Sequence, residues 1–575
     1  MRNKRANVLI VILLILTLIS GCNKSQDNTQ SPANENTPSE EPLTTVNLSS
    51  SQVIVDTEFS ASDLEVGYED STATKITLKD LSIEVTGEGA SVKDSVVTIT
   101  EEGTYVITGN LTDGQIVIDA DERDKIRLIL DGVSIHCSNQ APIYIKQADK
   151  VFITLNEGTE NNLTDGNEYT QSDDNTVDGV IFSKADLTIN GKGKLNITAN
   201  YKHGIVSKDE LVITGGTYYI TAVKDAINGK DCVKIKEGDF TLETATGNGI
   251  QSKNSDDATK GFVYIAGGNI LVTNSNEGIE GTVILIEDGK IDITAQDDGL
   301  NAASGSSSTT NSMLPNQDTE DKIQRFNESS QTEADVQSEA TVMQDQNGGT
   351  PQDMPNRSEE QRPSGIPNQS EGQNSGDRPD PSGQNLGNGQ PGRGGFGQGM
   401  MENDSDCLIT IKGGTIRINA LGDGIDSNGS IIITGGTVNV CGSIENNNSA
   451  LDYDGIAQIS GGIITAAGSS GMAQGFRDSS TQYSLLYNFS STLSGGTKVS
   501  LTDQNGNEVI SFTPEKQFQS VVISTPELSK DTVYTIKSGD LSEEITLSAI
   551  ATSAGVQSNG MGFGGRGGQG QNSNE

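Results

Sequence analysis

Tryptophan is absent from the 575 residues, histidine occurs twice, cysteine five times, and aromatic side chains make up 4% of the chain. With His136 and His203 as the only imidazoles, a multi-histidine zinc site is not expected, and a Ser-His-Asp triad would have to use one of these two. Positive charge is equally scarce: 38 Lys and Arg face 79 Asp and Glu, a formal net charge of −41, and no basic run exists outside the extreme N-terminus. Such a surface repels phosphate backbones, which excludes a nucleic-acid partner. Few aromatics beside 67 Gly make a poor recipe for several compact cores and favour repeated thin layers.

What is present begins with an export signal. Arg2, Lys4 and Arg5 precede an apolar run from Val8 to Ile19 and small residues before Cys22. The run is short for a membrane span of about 20 residues. Its ending, Ile19-Ser20-Gly21-Cys22, resembles a bacterial lipobox, which implies cleavage after residue 21 and acylation of Cys22. The expectation is a monomer held by lipid on the outer face of the cytoplasmic membrane, on a disordered tether over residues 22–51. Cys137, Cys232, Cys407 and Cys441 form no CxxC pair and fall in different columns of the repeat, so they read as small buried hydrophobes rather than disulfides.

From residue 178 the chain repeats a polar residue, Gly, an aliphatic residue, a short strand, a Gly-containing turn and another strand. The repeats start at Asp178-Gly179-Val180, His203-Gly204-Ile205, Asp225-Ala226-Ile227, Asn248-Gly249-Ile250, Glu277-Gly278-Ile279, Asp298-Gly299-Leu300, Asp423-Gly424-Ile425 and Asp454-Gly455-Ile456. One interval, of 125 residues, stands out; removing the low-complexity stretch 304–405 restores the ordinary period. That stretch holds eight of the fourteen Pro and reads as a disordered insertion. A period near 22 residues, made of short strands and turns, predicts an all-β parallel β-helix over 52–495, each coil about 4.8 Å from the next. Residues 496–553 lose the pattern and read as a small terminal β-unit, followed by a Gly-rich tail over 554–575.

Stacking turns a sequence column into a spatial ladder. The residue before the repeat Gly and the residue three positions after it align Asp225 with Asn228, Asn248 with Gln251, Glu277 with Glu280, Asp298 with Asn301, and Asp423 with Asp426. Asn276, Asp297, Asp452 and Asp454 add oxygens at the same corners. Stacked carboxylates repel one another, and Ca²⁺, which takes six to eight oxygens with tolerant geometry, would relieve them. Turn formers at corners account for one Asp per turn but not for the Glu277 and Glu280 pair. The expected partner is an extended polysaccharide on the long flank, either acidic chains bridged through calcium or cellulose, with Tyr201, Lys202, Tyr218 and Lys224 as candidate contacts and Tyr219 and Tyr264 as further stacking faces.

The segments Gly103-Thr104-Tyr105-Val106-Ile107-Thr108-Gly109-Asn110-Leu111, Leu128-Ile129-Leu130-Asp131-Gly132-Val133 and Ala141-Pro142-Ile143-Tyr144-Ile145, followed by Val151-Phe152-Ile153-Thr154-Leu155, resemble the bacterial carbohydrate-binding domain family. That family is typified by a clostridial β-helix protein that binds cellulose and acidic sugars. The resemblance runs over about residues 50–550 without the insertion. It implies a right-handed parallel β-helix, bound calcium and binding of cellulose or polygalacturonate-like chains, and also likeness to calcium-dependent pectate lyases. A lyase would need a basic residue to take the proton beside the uronate carboxyl, for which Lys202, Lys224, Lys230 and Lys253 lie near the corners. The primary reading is a non-catalytic binder, with a lyase as alternative and a cell-surface scaffold or adhesin as a third class.

Overall fold

Short runs of alternating aliphatic and polar residues bury one side of each strand, and glycine-marked turns bend the chain after three to six residues, so three strands close one coil. The computed structural model describes residues 43–47, 52–171, 176–257, 259–304 and 406–556. The export signal, Cys22, the tether up to residue 42, the insertion from residue 305 and the tail beyond residue 556 lie outside the described residues.

One coil consists of His203–Ser207, Glu210–Ile213 and Thr217–Ala222; the next consists of Ile227–Gly229, Cys232–Ile235 and Asp239–Thr244. They pair parallel and in register, Ile205 with Ile227, Leu211 with Val233 and Tyr218 with Phe240. The architecture is the parallel β-helix that the repeat predicts. One of its faces is a stack of twelve short strands among the described residues, from Ala90–Lys93 to Leu451–Tyr453. Ile205, Ile227, Ile250, Ile279, Leu300 and Ile425 form its inward column, all with 0% exposure. Each such side chain contributes about 1.5–3 kcal/mol of burial, and a continuous column makes the coils cooperative.

The repeat glycine follows from close approach of successive coils. A Cβ on Gly249 would lie 2.7 Å from the carbonyl oxygen of Gly278, and one on Gly278 would lie 2.5 Å from that of Gly299. The register also crosses the insertion unbroken: Val283 pairs with Leu408, Ile291 with Ile416 and Leu300 with Ile425.

Several details differ from expectation. Ile181, not Val180, stands over Ile205, so the first repeat is displaced by one residue. At the far end Leu451 stacks on Ile425, so Asp452 continues the ladder and Asp454 falls beyond the corner. Both slips arise because a Gly-aliphatic pair also occurs away from that corner. The stretch assigned to the tether includes a strand, Leu43–Asn47, antiparallel to Gln52–Asp56. The terminal unit starts at Ser484 rather than 496 and ends in the strand Ala551–Gly555. Its strand Phe518–Ser524 pairs antiparallel with Ile463–Gly468, closing the sheet edge left by the last coil. It has its own core, which includes Phe489, Leu501, Phe518 and Ile536.

The segment after the N-terminal hairpin straps the outside of the helix. Asp56 pairs with Lys234 at 2.6 Å, Phe59 stacks on Tyr264 at 5.8 Å, and Arg127 donates to the Glu65 carbonyl at 2.6 Å. Between them the short helix Ala61–Leu64, capped by Ser60, carries the buried Asp63. Its carboxylate accepts from Thr188 Oγ1 at 2.6 Å and lies 2.9 Å from Lys150 Nζ. Cys137, Cys232 and Cys407 are buried and Cys441 is half-buried, in keeping with the hydrophobe reading.

Candidate functional site

The outward column beside the inward isoleucines is polar. Asn228, Gln251, Glu280, Asn301, Asp426 and Asp452 are successive rungs, each one coil from the next. A second column, before the repeat glycine, serves the corner itself. Asp225 Oδ1 accepts the Asn248 N–H at 2.9 Å, Asn248 Oδ1 the Glu277 N–H at 3.1 Å, and Asp298 Oδ1 the Asp423 N–H at 2.6 Å. Thus these Asp and Asn side chains also knit adjacent corners, a role any short side-chain oxygen performs.

The two halves of the ladder differ in the donors and cationic partners their carboxylates have. In the first half every carboxylate has a donor. Asp225 lies 3.2 Å from His203 Nδ1 and accepts from Asn228 Nδ2 at 2.6 Å; burial works against its charge, but these bonds and the Asn248 N–H hold its carboxyl below the ordinary value. Glu280 is paired with Lys253 and receives Asn248 Nδ2 at 2.6 Å and the Gln251 amide. Glu277 beside it is pushed up to about 9, first by burial and then by Glu280, although Asn301 Nδ2 donates to it at 3.0 Å. The amides here donate to the carboxylates, and their oxygens are engaged as well, Gln251 Oε1 by Asn228 Nδ2 at 2.9 Å and Asn248 Oδ1 by the Glu277 N–H. Asn276 holds its place through its own N–H, which donates to the Gly247 carbonyl at 2.7 Å.

In the second half the charge is uncompensated. Asp298 and Asp426 are each pushed up to about 8 and Asp423 to about 7; burial is the largest cause, and neighbouring carboxylates add to it. Asp297 and Asp452 are also raised, again first by burial. Among the described residues Asp426 has no hydrogen-bond donor or cationic partner, and Asn301 Oδ1 is buried without a donor. The Cα of Gly422 faces this group: a Cβ there would lie 2.4 Å from Asp298 Oδ1 and 2.6 Å from Asp297 Oδ1.

Among the described residues no group of three or more His, Cys, Asp or Glu side chains is arranged to hold a metal ion by itself. A cation at this corner therefore has to draw on the Asn301 amide oxygen, main-chain carbonyls and water as well as on carboxylates. Such a mixed oxygen set fits Ca²⁺ better than a closed site of Cys or His. The donor-free Asp426 and the orphaned Asn301 oxygen are the features that fit it.

The candidate sugar contacts separate by burial. Tyr218 has 0% exposure, stacks on Phe240 at 4.7 Å and donates to the Gly215 carbonyl, so it is core and cannot meet a ligand. Tyr264 is likewise buried, under Phe59. Tyr218 lies on the inward face of its strand, whereas Tyr264 lies on an outer face that alternation alone does not mark as covered by a strap. Tyr201 is half-buried, stacked on Tyr169 at 4.5 Å, with Lys202 Nζ 5.0 Å above its ring. Tyr219 and Lys224 are exposed.

Of the lysines considered as bases, Lys253 and Lys230 are held by Glu280 and Asp256. Sequence reasoning missed Lys516, which the terminal unit brings against the Ala420 carbonyl, three residues before Asp423. Burial pushes its ammonium down to about 8. No periodic signal marks it, since it lies outside the repeat.

Residues 93–350 match the family model described as "Carbohydrate-binding domain-containing protein". A curated protein of that same description from Acetivibrio thermocellus is 42% identical over 137 residues, 24% of this chain and 48% of the relative. The chain thus spans about half the length of the curated relative it matches. A solved structure, a gadolinium derivative titled as the polysaccharide lyase-like protein from C. thermocellum, is 33% identical, covering 40% of this chain and 92% of that one at a TM-score of 0.35. The resemblance seen in the strand segments is shown for residues 93–350.

Proposed function

We propose that this chain is a calcium-dependent, non-catalytic polysaccharide-binding protein, displayed outside the cell on a lipid attached to Cys22. The observation that carries the calcium reading is the second half of the ladder, where Asp298, Asp423 and Asp426 face one another without a cation and Asn301 Oδ1 lacks a donor. Calcium held there would neutralise the corner and leave coordination positions for uronate carboxylates, which a surface of net charge −41 otherwise repels. The family match supports carbohydrate as the ligand class.

The test is retention of the purified protein on immobilised polygalacturonate with calcium and with EDTA, while the ultraviolet absorbance of unsaturated products is followed in the supernatant. The reading requires retention that EDTA abolishes and no rise in absorbance. The alternative, a lyase, rests on Lys516, whose lowered pKa would suit a base near the corner. Rising absorbance lost in Lys516→Met would establish it, and absence of retention in both buffers would leave a surface scaffold.

A further inference from the structure

The acidic corner has an apolar rim. Leu421, Ile444 and Met472 follow the ends of the paired strands Thr415–Ala420, Thr437–Cys441 and Ile463–Gly468, and they are 50%, 40% and 44% exposed. Leu421 is two residues from Asp423, and Met472 is two residues from Gln474, whose amide donates to Asp452. Ile444 opens the loop between them, which returns to the corner where the Ser449 N–H bonds the Asp423 carboxylate. One exposed aliphatic is ordinary, but three in succession beside uncompensated carboxylates call for an occupant that carries positive charge and some apolar surface together.

The chain itself comes back to this corner. Asn419, Cys441, Ala467, Val521, Tyr487 and Ala554 form one row across six neighbouring strands. The last of these strands, Ala551–Gly555, runs in the same direction as Thr415–Ala420, because the two antiparallel pairings between them cancel. It therefore ends on the side of the sheet where Thr415–Ala420 turns into the corner. The described residues stop at Val556, whose N–H bonds the Asn488 carbonyl at 2.9 Å. Five strand spacings put that exit about 24 Å from the corner. The sequence that follows carries Met561, Phe563 and Arg566 among glycines. Arg566 lies ten residues beyond Val556. Ten residues span at most about 35 Å, and typically about 17 Å where glycine dominates, so the corner is within reach.

We propose that the 561–566 segment docks on the acidic corner as an internal cation, with Arg566 among Asp298, Asp423 and Asp426 and with Met561 and Phe563 on the apolar rim, and that calcium displaces it. The inference takes its corner from the calcium reading and adds a competitor within the chain. Among the described residues no Lys or Arg pairs with these three aspartates. A guanidinium presents five N–H donors, enough for more than one carboxylate and for the buried Asn301 Oδ1 that lacks a donor. A segment of the same chain acts at an effective concentration of the order of millimolar, so weak contacts hold the corner for part of the time.

Carbodiimide coupling of the full-chain variant Arg566→Lys, followed by peptide mapping, tests the contact, and calorimetric titration of calcium tests the competition. In EDTA the substituted side chain should couple chiefly to the peptide carrying Asp423 and Asp426, and calcium should suppress that product. Adding Leu421→Ser and Met472→Ser should reduce it too. Arg566→Gln should tighten the apparent calcium Kd about threefold, because the corner is then no longer shared. Arg393→Gln, the same charge change in the insertion three residues before Phe396, should leave the Kd unchanged. Melting curves check that each variant is folded. Calcium heat without coupling at the corner, equal tightening in Arg566→Gln and Arg393→Gln, or a coupled product that joins two chains overturns the inference and leaves the calcium reading standing. Coupling at the corner without calcium heat does the reverse, and neither signal defeats both.

Discussion

Asn301 donates its Nδ2 to Glu277 Oε1 at 3.0 Å and thereby leaves its own Oδ1 buried without a donor. One amide thus separates the two halves of the ladder: its nitrogen closes the half already satisfied by amides, His203 and Lys253, while its oxygen is left over on the same rung. The next rung is Asp426. An unpaired buried acceptor costs about 1–3 kcal/mol, and a neighbouring carboxylate without a donor adds to that cost.

Asp426→Asn is the sharpest probe because its two effects have opposite sign. Removing a carboxylate that only meets other carboxylates should raise stability in EDTA at pH 8 by about 1 kcal/mol. The same change should remove most of the stabilisation that calcium gives wild type. Paired melts with and without calcium measure both effects.

The pH dependence has a definite direction. In the cation-free protein Asp423 titrates at about 7 and Asp298 and Asp426 at about 8, above the 3.8 of a free aspartate. The folded state therefore holds the extra protons, and the contribution to stability is present at low pH and lost as pH rises through the folded values. Melting temperature in EDTA should fall by several degrees from about pH 4 to about pH 8 and level off above that. In saturating calcium the fall should disappear, and calorimetric titration near pH 7 should show proton release on binding.

Gly422→Ala tests the crowding at the corner. The added methyl would meet Asp298 Oδ1 at 2.4 Å and the Asp297 carbonyl carbon at 2.8 Å, so backbone as well as side chain must shift. A destabilisation of about 1–3 kcal/mol is expected, together with loss of at least about tenfold in calcium affinity. Urea unfolding gives the first and isothermal titration the second; unchanged affinity would remove Asp297 and Asp298 from the site.

Stacking made much of this legible. Because identical coils superpose, the spacing from Asp225 to Asp423 converted directly into the rungs Asn228, Gln251, Glu280, Asn301 and Asp426. The inward isoleucines followed from the same alternation. What escaped depends on contacts far apart in sequence. Tyr218 and Tyr219 are adjacent on one strand, and only the pleat decides that the first is core and the second exposed. The strap from Asp56 to Glu65 has no repeat to announce it, and Lys516 reaches its corner from a unit with its own core. Donor direction was hidden as well, since an Asn reads the same whether it offers an oxygen to a cation or an N–H to a glutamate.

The strap supplies the remaining prediction. Asp63 accepts from Thr188 and Ser60 and pairs with Lys150, with side-chain exposures of 4% and 13% across the ion pair. Burial works against its charge, yet the Thr188 bond and Lys150 outweigh it and hold the carboxyl below 3.8. A depressed folded pKa contributes stability above the unfolded value and loses it as pH falls through the folded one. Asp63→Asn leaves Lys150 buried without its partner and should cost about 3 kcal/mol at neutral pH. That cost should shrink in acid, where wild type must protonate Asp63 while the variant has nothing to titrate. Adding Lys150→Met should recover part of the loss at neutral pH, because the uncompensated ammonium is then gone. Urea unfolding of the three proteins at neutral and acidic pH measures all of this, and a loss in Asp63→Asn that is the same at both pH values would show that the strap is held by packing, chiefly Phe59 on Tyr264, rather than by the ion pair.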